Sequence, residues 1–385
     1  MTGTIHRLLA PHDPAVLDKA LLDRQRVHLS TGQGDAFSRL LPWSTLNGLI
    51  TPERLDSGQI KAVRRGMELP RDMILTRSGK GYQLRGPEFQ SLLQQGLSLL
   101  ISSVHELVPE IAALNAMLER RYRAVVSTNA YVSFSKDSAF TAHWDDHSVL
   151  VLQLHGKKSW WCYGSPEDDP HERRSFASTA ELGPAEWTAS LVPGDVLYVP
   201  RGDIHRAEVQ GGHSVHLTIA IRPPMAADAA AWLIKRCLAD AEARHDILAH
   251  AGADALERQA ERIRALLHRQ VDALDLTCFL AMTDAGRSPC DVLDLGSGRE
   301  NDPATRVQPA LLRRIALPVS GGGEVRLGGG RSARIDAAEA SVLALLLERD
   351  ELTVGALAEM FPAQPLPAVS AAVGRLARKG LVFMF

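Results

Sequence analysis

Between residues 125 and 222 the chain offers no helix-length pattern, only short runs of β-branched and aromatic residues cut by Gly, Pro and Asp. The runs "AVVSTNAYVSF", "SVLVLQLHG", "KSWWCYG", "WTASLVPGDVLYVP", "HRAEVQ" and "SVHLTIAI" each suit a strand. Six such strands in succession, with no helix between them, predict a compact β-sandwich or barrel.

The flanks follow another rhythm. Residues 1 to about 125 read as mainly helical with irregular connections, and residues 87–122 as two helices separated by Pro109. After "IRPP", "AADAAAWLIKRCLADAEARHDILAH" and "ADALERQAERIRALLHRQVDAL" are amphipathic helical patterns that either complete a core or pair with a second subunit; pairing as a homodimer is the expectation, because the segment follows the barrel and belongs to no obvious third core. The last ~80 residues hold a glycine-bounded hairpin, three helical patterns and a closing strand, "LVFMF", which together suggest a winged helix. The predicted class is α+β, in keeping with the two or three domains that 385 residues imply. The expected divisions are an N-terminal extension (1–34), a barrel domain (35–224, core about 125–222), a helical segment (225–300) and the winged-helix-like unit (301–385).

Bulk properties exclude several classes. A formal net charge of -2 gives no reason to expect a general nucleic-acid or membrane binder, and Arg375, Arg378 and Lys379 on the third C-terminal helix make too small a basic surface for a DNA reader. No uncharged apolar run approaches the ~18–20 residues that span a bilayer. The start "MTGTIHRLLAPHDPAVLDKALLDR" is not a secretory signal. Four cysteines without CxxC spacing argue against a disulfide framework, so a cytoplasmic protein is expected.

The chemistry concentrates in "AFTAHWDDHSVLVLQLHGKKSWWCYG". In a strand, His143 and Asp145 project to one face, about 7 Å apart at the backbone, and can reach one ion. His205, in "PGDVLYVPRGDIHRAEV", opens the next strand after a Pro-Arg-Gly-Asp turn and supplies a third ligand. Two imidazoles and a carboxylate on one side of an ion form the triad that suits non-haem Fe(II) and leaves positions open. A single histidine on an apolar strand is ordinarily a core residue; the combination carries the argument. His147, His155 and His171 are weaker candidates, and Asp146, His147 and Ser148 touch either substrate or neighbouring strands.

"HWDDHSVLVLQLHGKKSW" and "PGDVLYVPRGDIHRAE" resemble the JmjC-type double-stranded β-helix, a cupin-like oxygenase fold. The whole layout resembles the ribosomal oxygenase branch of that family, which joins such a barrel to a helical dimerisation segment and a winged helix. The resemblance implies Fe(II) held by His143, Asp145 and His205, with 2-oxoglutarate and O2 as co-substrates. Lys158 matches the basic residue that receives the far carboxylate of 2-oxoglutarate, whereas Lys157 should point to the opposite face. Asn129, Tyr131 and His216 match positions that hydrogen-bond the co-substrate, with a capped strand start, a core tyrosine and a buried histidine as the ordinary alternatives. The implied reaction couples decarboxylation of 2-oxoglutarate to succinate and CO2 with hydroxylation of an unactivated C–H bond. The implied target is an arginine or histidine of a ribosomal protein. Rival readings are a biosynthetic precursor peptide or small molecule, N-demethylation, or a non-catalytic module, against which the intact His143, Asp145, His205 and Lys158 count.

"CDVLDLGSGREND" (290–302) has parts of a methyltransferase glycine loop. Arg299 and Glu300 stand where a third small residue belongs, and no alternating strands and helices follow, so that reading is set aside.

Overall fold

The computed structural model describes residues 4–64, 67–134, 141–166, 170–176, 179–293, 295–296, 298–318 and 321–385. The chain begins with α1 (Thr4–Leu9), α2 (Ala15–Asp23), β1 (Val27–Ser30), α3 (Gly34–Ser38), α4 (Trp43–Leu49) and α5 (Pro52–Ser57). β2 (Ile60–Arg64), β3 (Met67–Glu68), the hairpin β4–β5 (Leu75–Ser78, Gly81–Leu84), α6 (Gly86–Gln94), β6 (Ser98–Ile101) and α7 (Pro109–Tyr122) follow. Residues 4–34 are built into the fold: β1 pairs with β12 (Asp195–Val199), and Ile5, Leu9, Leu17 and Leu29 are buried in the main core.

The strands of the sequence pattern form the barrel: β7 (Val125–Ser133), β8 (His143–Trp144), β9 (Ser148–Cys162), β10 (Arg174–Ser175), β11 (Trp187–Leu191), β12 and β13 (His205–Arg222). "SVLVLQLHG" and "KSWWCYG" are one long strand, as are "HRAEVQ" and "SVHLTIAI". Both strands bend at the same level, where the β9–β13 register shifts between Val209 and Ser214. Gly156 permits the bend: its φ is +66°, and a Cβ there would lie 1.8 Å from the His213 carbonyl oxygen. Beyond the bend, Lys158–Cys162 pairs with β11 on one side and with the first half of β13 on the other.

One expectation fails in the N-terminal half. "SLLI" is not helical but forms β6, which joins the sheet between β2 and β7. Gly96, at φ +103°, ends the preceding helix, and Pro109 begins α7 rather than interrupting a longer helix. Helix α7 then covers the face of β7 that buries Val126, Ala130 and Val132, leaving Asn129 and Tyr131 on the barrel side.

After the barrel come α8 (Ala226–Cys237), α9 (Ala253–Asp272) and α10 (Leu276–Ala285), then β14 (Arg306–Pro309). The last unit holds the hairpin β15–β16 (Gly322–Gly328, Arg331–Asp336), α11 (Ala337–Arg349), β17 (Leu352–Thr353), α12 (Val354–Met360), α13 (Leu366–Arg378) and β18 (Val382–Met384), around its own core of Val307, Leu343, Leu346, Val369, Val373 and Leu376. Two adjacent residues of α7 fasten this unit to the barrel. Arg120 donates to the carbonyls of Pro309 and Leu311, while Glu119 receives Arg313 at 2.6 Å and Arg287 at 2.7 Å. On α13, Arg375 and Lys379 are engaged by Glu339 and Asp336 inside the unit. In the stretch 290–302, Asp294 and Ser297 lie outside the described residues; the others form no strand and only one short 3-10 turn, Arg299–Asn301. No helix among the described residues is long and apolar enough to cross a membrane.

Candidate metal centre

His143 lies on the two-residue strand β8 and sits directly across from His205, the first residue of β13. Asp145 follows β8, so the His-x-Asp pair turns off the end of a strand rather than running along one. Asp145 Oδ2 lies 3.8 Å from His143 Nε2 and 3.7 Å from His205 Nε2, and the three donor atoms all fall within 4.8 Å of one another. The two rings are 4.5 Å apart at their centroids. Each imidazole is locked from behind: Nδ1 of His143 donates to the Thr141 carbonyl and Nδ1 of His205 to that of Asp203, both at 2.9 Å. Those bonds fix the tautomer, leaving the Nε2 lone pairs aimed at the carboxylate, as metal-ligating histidines require. Burial, with His205 beside it, pushes His143 down to about 3, so its ring is neutral at ordinary pH. Burial works against the charge on Asp145, but His205, His143, His147 and Arg173 outweigh it and hold the carboxyl below its usual range. A donor set of two imidazole nitrogens and one ionised carboxylate suits a divalent transition metal.

The other predicted residues share the same interior. Lys158 is 5 % exposed and has no anionic partner among the described residues, whereas Lys157 points outward. Burial alone pushes the Lys158 ammonium down to about 7. Trp160, two residues on and so on the same face, stacks against His205 (centroids 5.8 Å, 27°) and meets His216 edge-on. His216 in turn stacks on Tyr131 at 5.0 Å, and Tyr131 hydrogen-bonds Asn129. The Asn129 amide oxygen accepts from the Ser103 backbone N–H at 3.0 Å. His216 Nδ1 and Trp160 Nε1 are buried with no hydrogen-bond partner among the described residues. A buried cation without a counter-charge, beside orphaned ring nitrogens, fits an anionic ligand that supplies the missing acceptors.

Two participants escaped the sequence. Trp160 was visible only as a strand residue, although its phase with Lys158 was the available signal. Arg173, whose Nε is 3.1 Å from Asp145 Oδ1, sits in a polar stretch with no motif. Asp146, His147 and Ser148 line a cavity of about 900 Å³ with Tyr198, Arg201 and Arg222, but none of the three clustered donors borders it. Ser148 Oγ accepts from Tyr198 Oη and the Arg201 N–H, and His147 contacts Asp146 and Arg222. His155 packs on Trp43 and His171 is exposed, both away from the cluster.

With this geometry in hand, known proteins supply the comparison. Residues 103–229 match the profile of the JmjC domain. That match spans the barrel strands β7 to β13. Rat ribosomal oxygenase 1 is 32% identical over 219 residues, covering 55% of this chain and 36% of that protein; the human protein is 29% identical over the same length. The bifunctional lysine-specific demethylase and histidyl-hydroxylase NO66 of Aedes aegypti is 32% identical over 141 residues, 35% of this chain and 22% of its own. The chain thus spans about a third or less of the length of these curated relatives. Among solved structures, the Escherichia coli ribosomal oxygenase YcfD superposes along the whole of both chains with a TM-score of 0.50 at 16% identity. YcfD in complex with cobalt and succinic acid gives 0.50 at 17%, over 98% of this chain and 99% of that one. These structures share the JmjC fold and its flanking elements.

Proposed function

We propose that this chain is an Fe(II)- and 2-oxoglutarate-dependent oxygenase that hydroxylates a side chain of a protein or peptide. The observation that carries the reading is the convergence of His143, Asp145 and His205 on one point, with a buried Lys158 that lacks a counter-charge among the described residues. In it, the three side chains hold Fe(II), and Lys158 receives the far carboxylate of 2-oxoglutarate by charge-assisted hydrogen bonds. His216, Tyr131 and Asn129 contribute to the co-substrate's polar contacts. Bound together, Fe(II), 2-oxoglutarate and O2 supply an oxidant that replaces C–H by C–O–H, the co-substrate leaving as succinate and CO2. The residues' own tasks are to keep the metal open on one face, to hold the dicarboxylate by its distal end and to exclude water with the apolar wall of Val149, Val151, Leu197 and Val199. No side chain is needed as a general base.

The names of the relatives, a ribosomal oxygenase and a histidyl-hydroxylase that is also a lysine-specific demethylase, support a histidine of a ribosomal protein as target, with N-demethylation as the second reading and an arginine implied only by the sequence resemblance. A second copy pairing through the helical segment is supported by exposed Ile234 on α8, Leu238 just after it, and Ile263, Leu267 and Val271 on α9. The test is succinate release with Fe(II), scored together with mass spectrometry of candidate proteins. Turnover coupled to one added oxygen on a ribosomal protein supports the reading. The same gain only on a free small molecule or short peptide, or loss of a methyl group, moves the target and keeps the chemistry. No turnover and no metal-dependent binding of 2-oxoglutarate refutes both.

A further inference from the structure

Asp145 is gripped from two sides. Oδ2 faces the two imidazole nitrogens at 3.7 and 3.8 Å, while Oδ1 faces Arg173 Nε at 3.1 Å. The guanidinium is held there by its flanks. β10, which begins at the next residue, pairs with β8 in the register Arg174 to Trp144 and Ser175 to His143. On one side, the Trp144 indole N–H donates to the Glu172 carbonyl; on the other, the Phe176 N–H donates to that of Ala142. Arg174 lies over both the Trp144 and Phe176 rings, at 5.5 and 5.1 Å. The stretch 172–176 is therefore stitched across 142–144, and this registration delivers Arg173 to the carboxylate just beyond.

We propose that Arg173 is a positioning residue that holds Asp145 Oδ1 so that Oδ2 alone is presented to the metal. A carboxylate free to rotate can take two coordination positions; one tied by a guanidinium through its other oxygen takes one, and leaves the rest of that face for the 2-oxo acid and O2. Arg173 is half-exposed and binds no metal itself, so its contribution runs through Asp145. The inference rests on the metal-site reading above, and its test separates the two.

The experiment titrates Co(II) into the full-length, chelator-stripped protein, following visible absorption and affinity, in the parent and in the variants Arg173→Gln, Arg173→Lys and Asp145→Ala. Loss of an outer partner of a metal ligand lowers affinity by roughly 10- to 100-fold. Arg173→Gln is expected to show that loss with an altered Co(II) spectrum, and Arg173→Lys, which keeps the charge, to recover part of it. Parent affinity and spectrum in Arg173→Gln, with Asp145→Ala unable to bind, would overturn the role of Arg173 and leave the metal site standing. Parent affinity in Asp145→Ala would overturn both.

Discussion

Two buried ionic groups in this molecule have opposite surroundings. In the C-terminal unit, Glu339 is fully buried and fully matched: Lys379 reaches both of its oxygens, Arg375 one of them, and the Asp336 N–H the other. In the barrel, Lys158 is almost as buried and matched by nothing ionic among the described residues. A buried charge left alone costs several kcal/mol, so a fold keeps one where something from outside completes it. On the proposed function, the difference separates a structural network from a binding site. Two of the three basic side chains at the end of α13, Arg375 and Lys379, are committed to such pairs within the unit.

The comparison can be broken in several ways. The largest effect is expected at the ligands: His143→Ala or Asp145→Ala should abolish saturable metal binding and turnover, with the circular dichroism spectrum of the barrel retained, because strand pairing depends on neither side chain. Next, Glu339→Ala should destabilise the C-terminal unit by about 3–5 kcal/mol in denaturant unfolding, since it strands Lys379 and Arg375, and should leave metal affinity as it was. Lys158→Met should do the reverse. It should weaken 2-oxoglutarate binding by about 2–5 kcal/mol in calorimetry, and should raise, not lower, the unfolding temperature of the ligand-free protein. If Lys158→Met destabilises as Glu339→Ala does, the lysine is structural and the contrast fails.

The smallest effect is a pH dependence. Lys158 titrates near 7 in the ligand-free protein, well below an ordinary lysine, because of burial. A dicarboxylate binds the charged form, so affinity for 2-oxoglutarate should be flat below about pH 7 and fall by up to about tenfold per unit above it. The sign for stability is opposite: with the folded value depressed, the unfolded chain holds the extra proton, so the ligand-free protein should gain stability as pH rises from about 7 towards the usual lysine range. Lys158→Arg, charged throughout, should flatten the binding profile.

Much of the barrel was legible because its strands carry their own punctuation. Gly156, the Pro-Gly-Asp turn at 193–195 and the Pro-Arg-Gly-Asp turn at 200–203 mark where strands bend or end, and the last of these leads into His205. The pairing of His143 with Asp145 was visible as spacing, and Lys158 through the family resemblance, with strand phase setting Lys157 on the opposite face. What stayed hidden depends on tertiary pairing. "SLLI" reads as helix until Leu99 and Ile101 find β7 and β2 to pair with. Arg173 has meaning only once β10 is laid against β8. Trp160 looked like one more apolar strand residue, because nothing local tells a ring stacked on His205 from one packed in a core. The N-terminal strand Val27–Ser30 is too short to be recognised away from β12, its partner nearly 170 residues on.

The central claim is that three side chains and one lysine form a single site for a ferrous ion and a 2-oxo acid. The most direct measurement adds 2-oxoglutarate to the Fe(II)-loaded protein without oxygen and follows the visible charge-transfer absorption of an iron–2-oxo acid chelate. The account predicts saturable, one-to-one appearance of that absorption in the parent, its absence in Asp145→Ala, and a shift to higher 2-oxoglutarate concentration in Lys158→Met. Absorption of equal strength and affinity in all three proteins, or none in the parent, would contradict it.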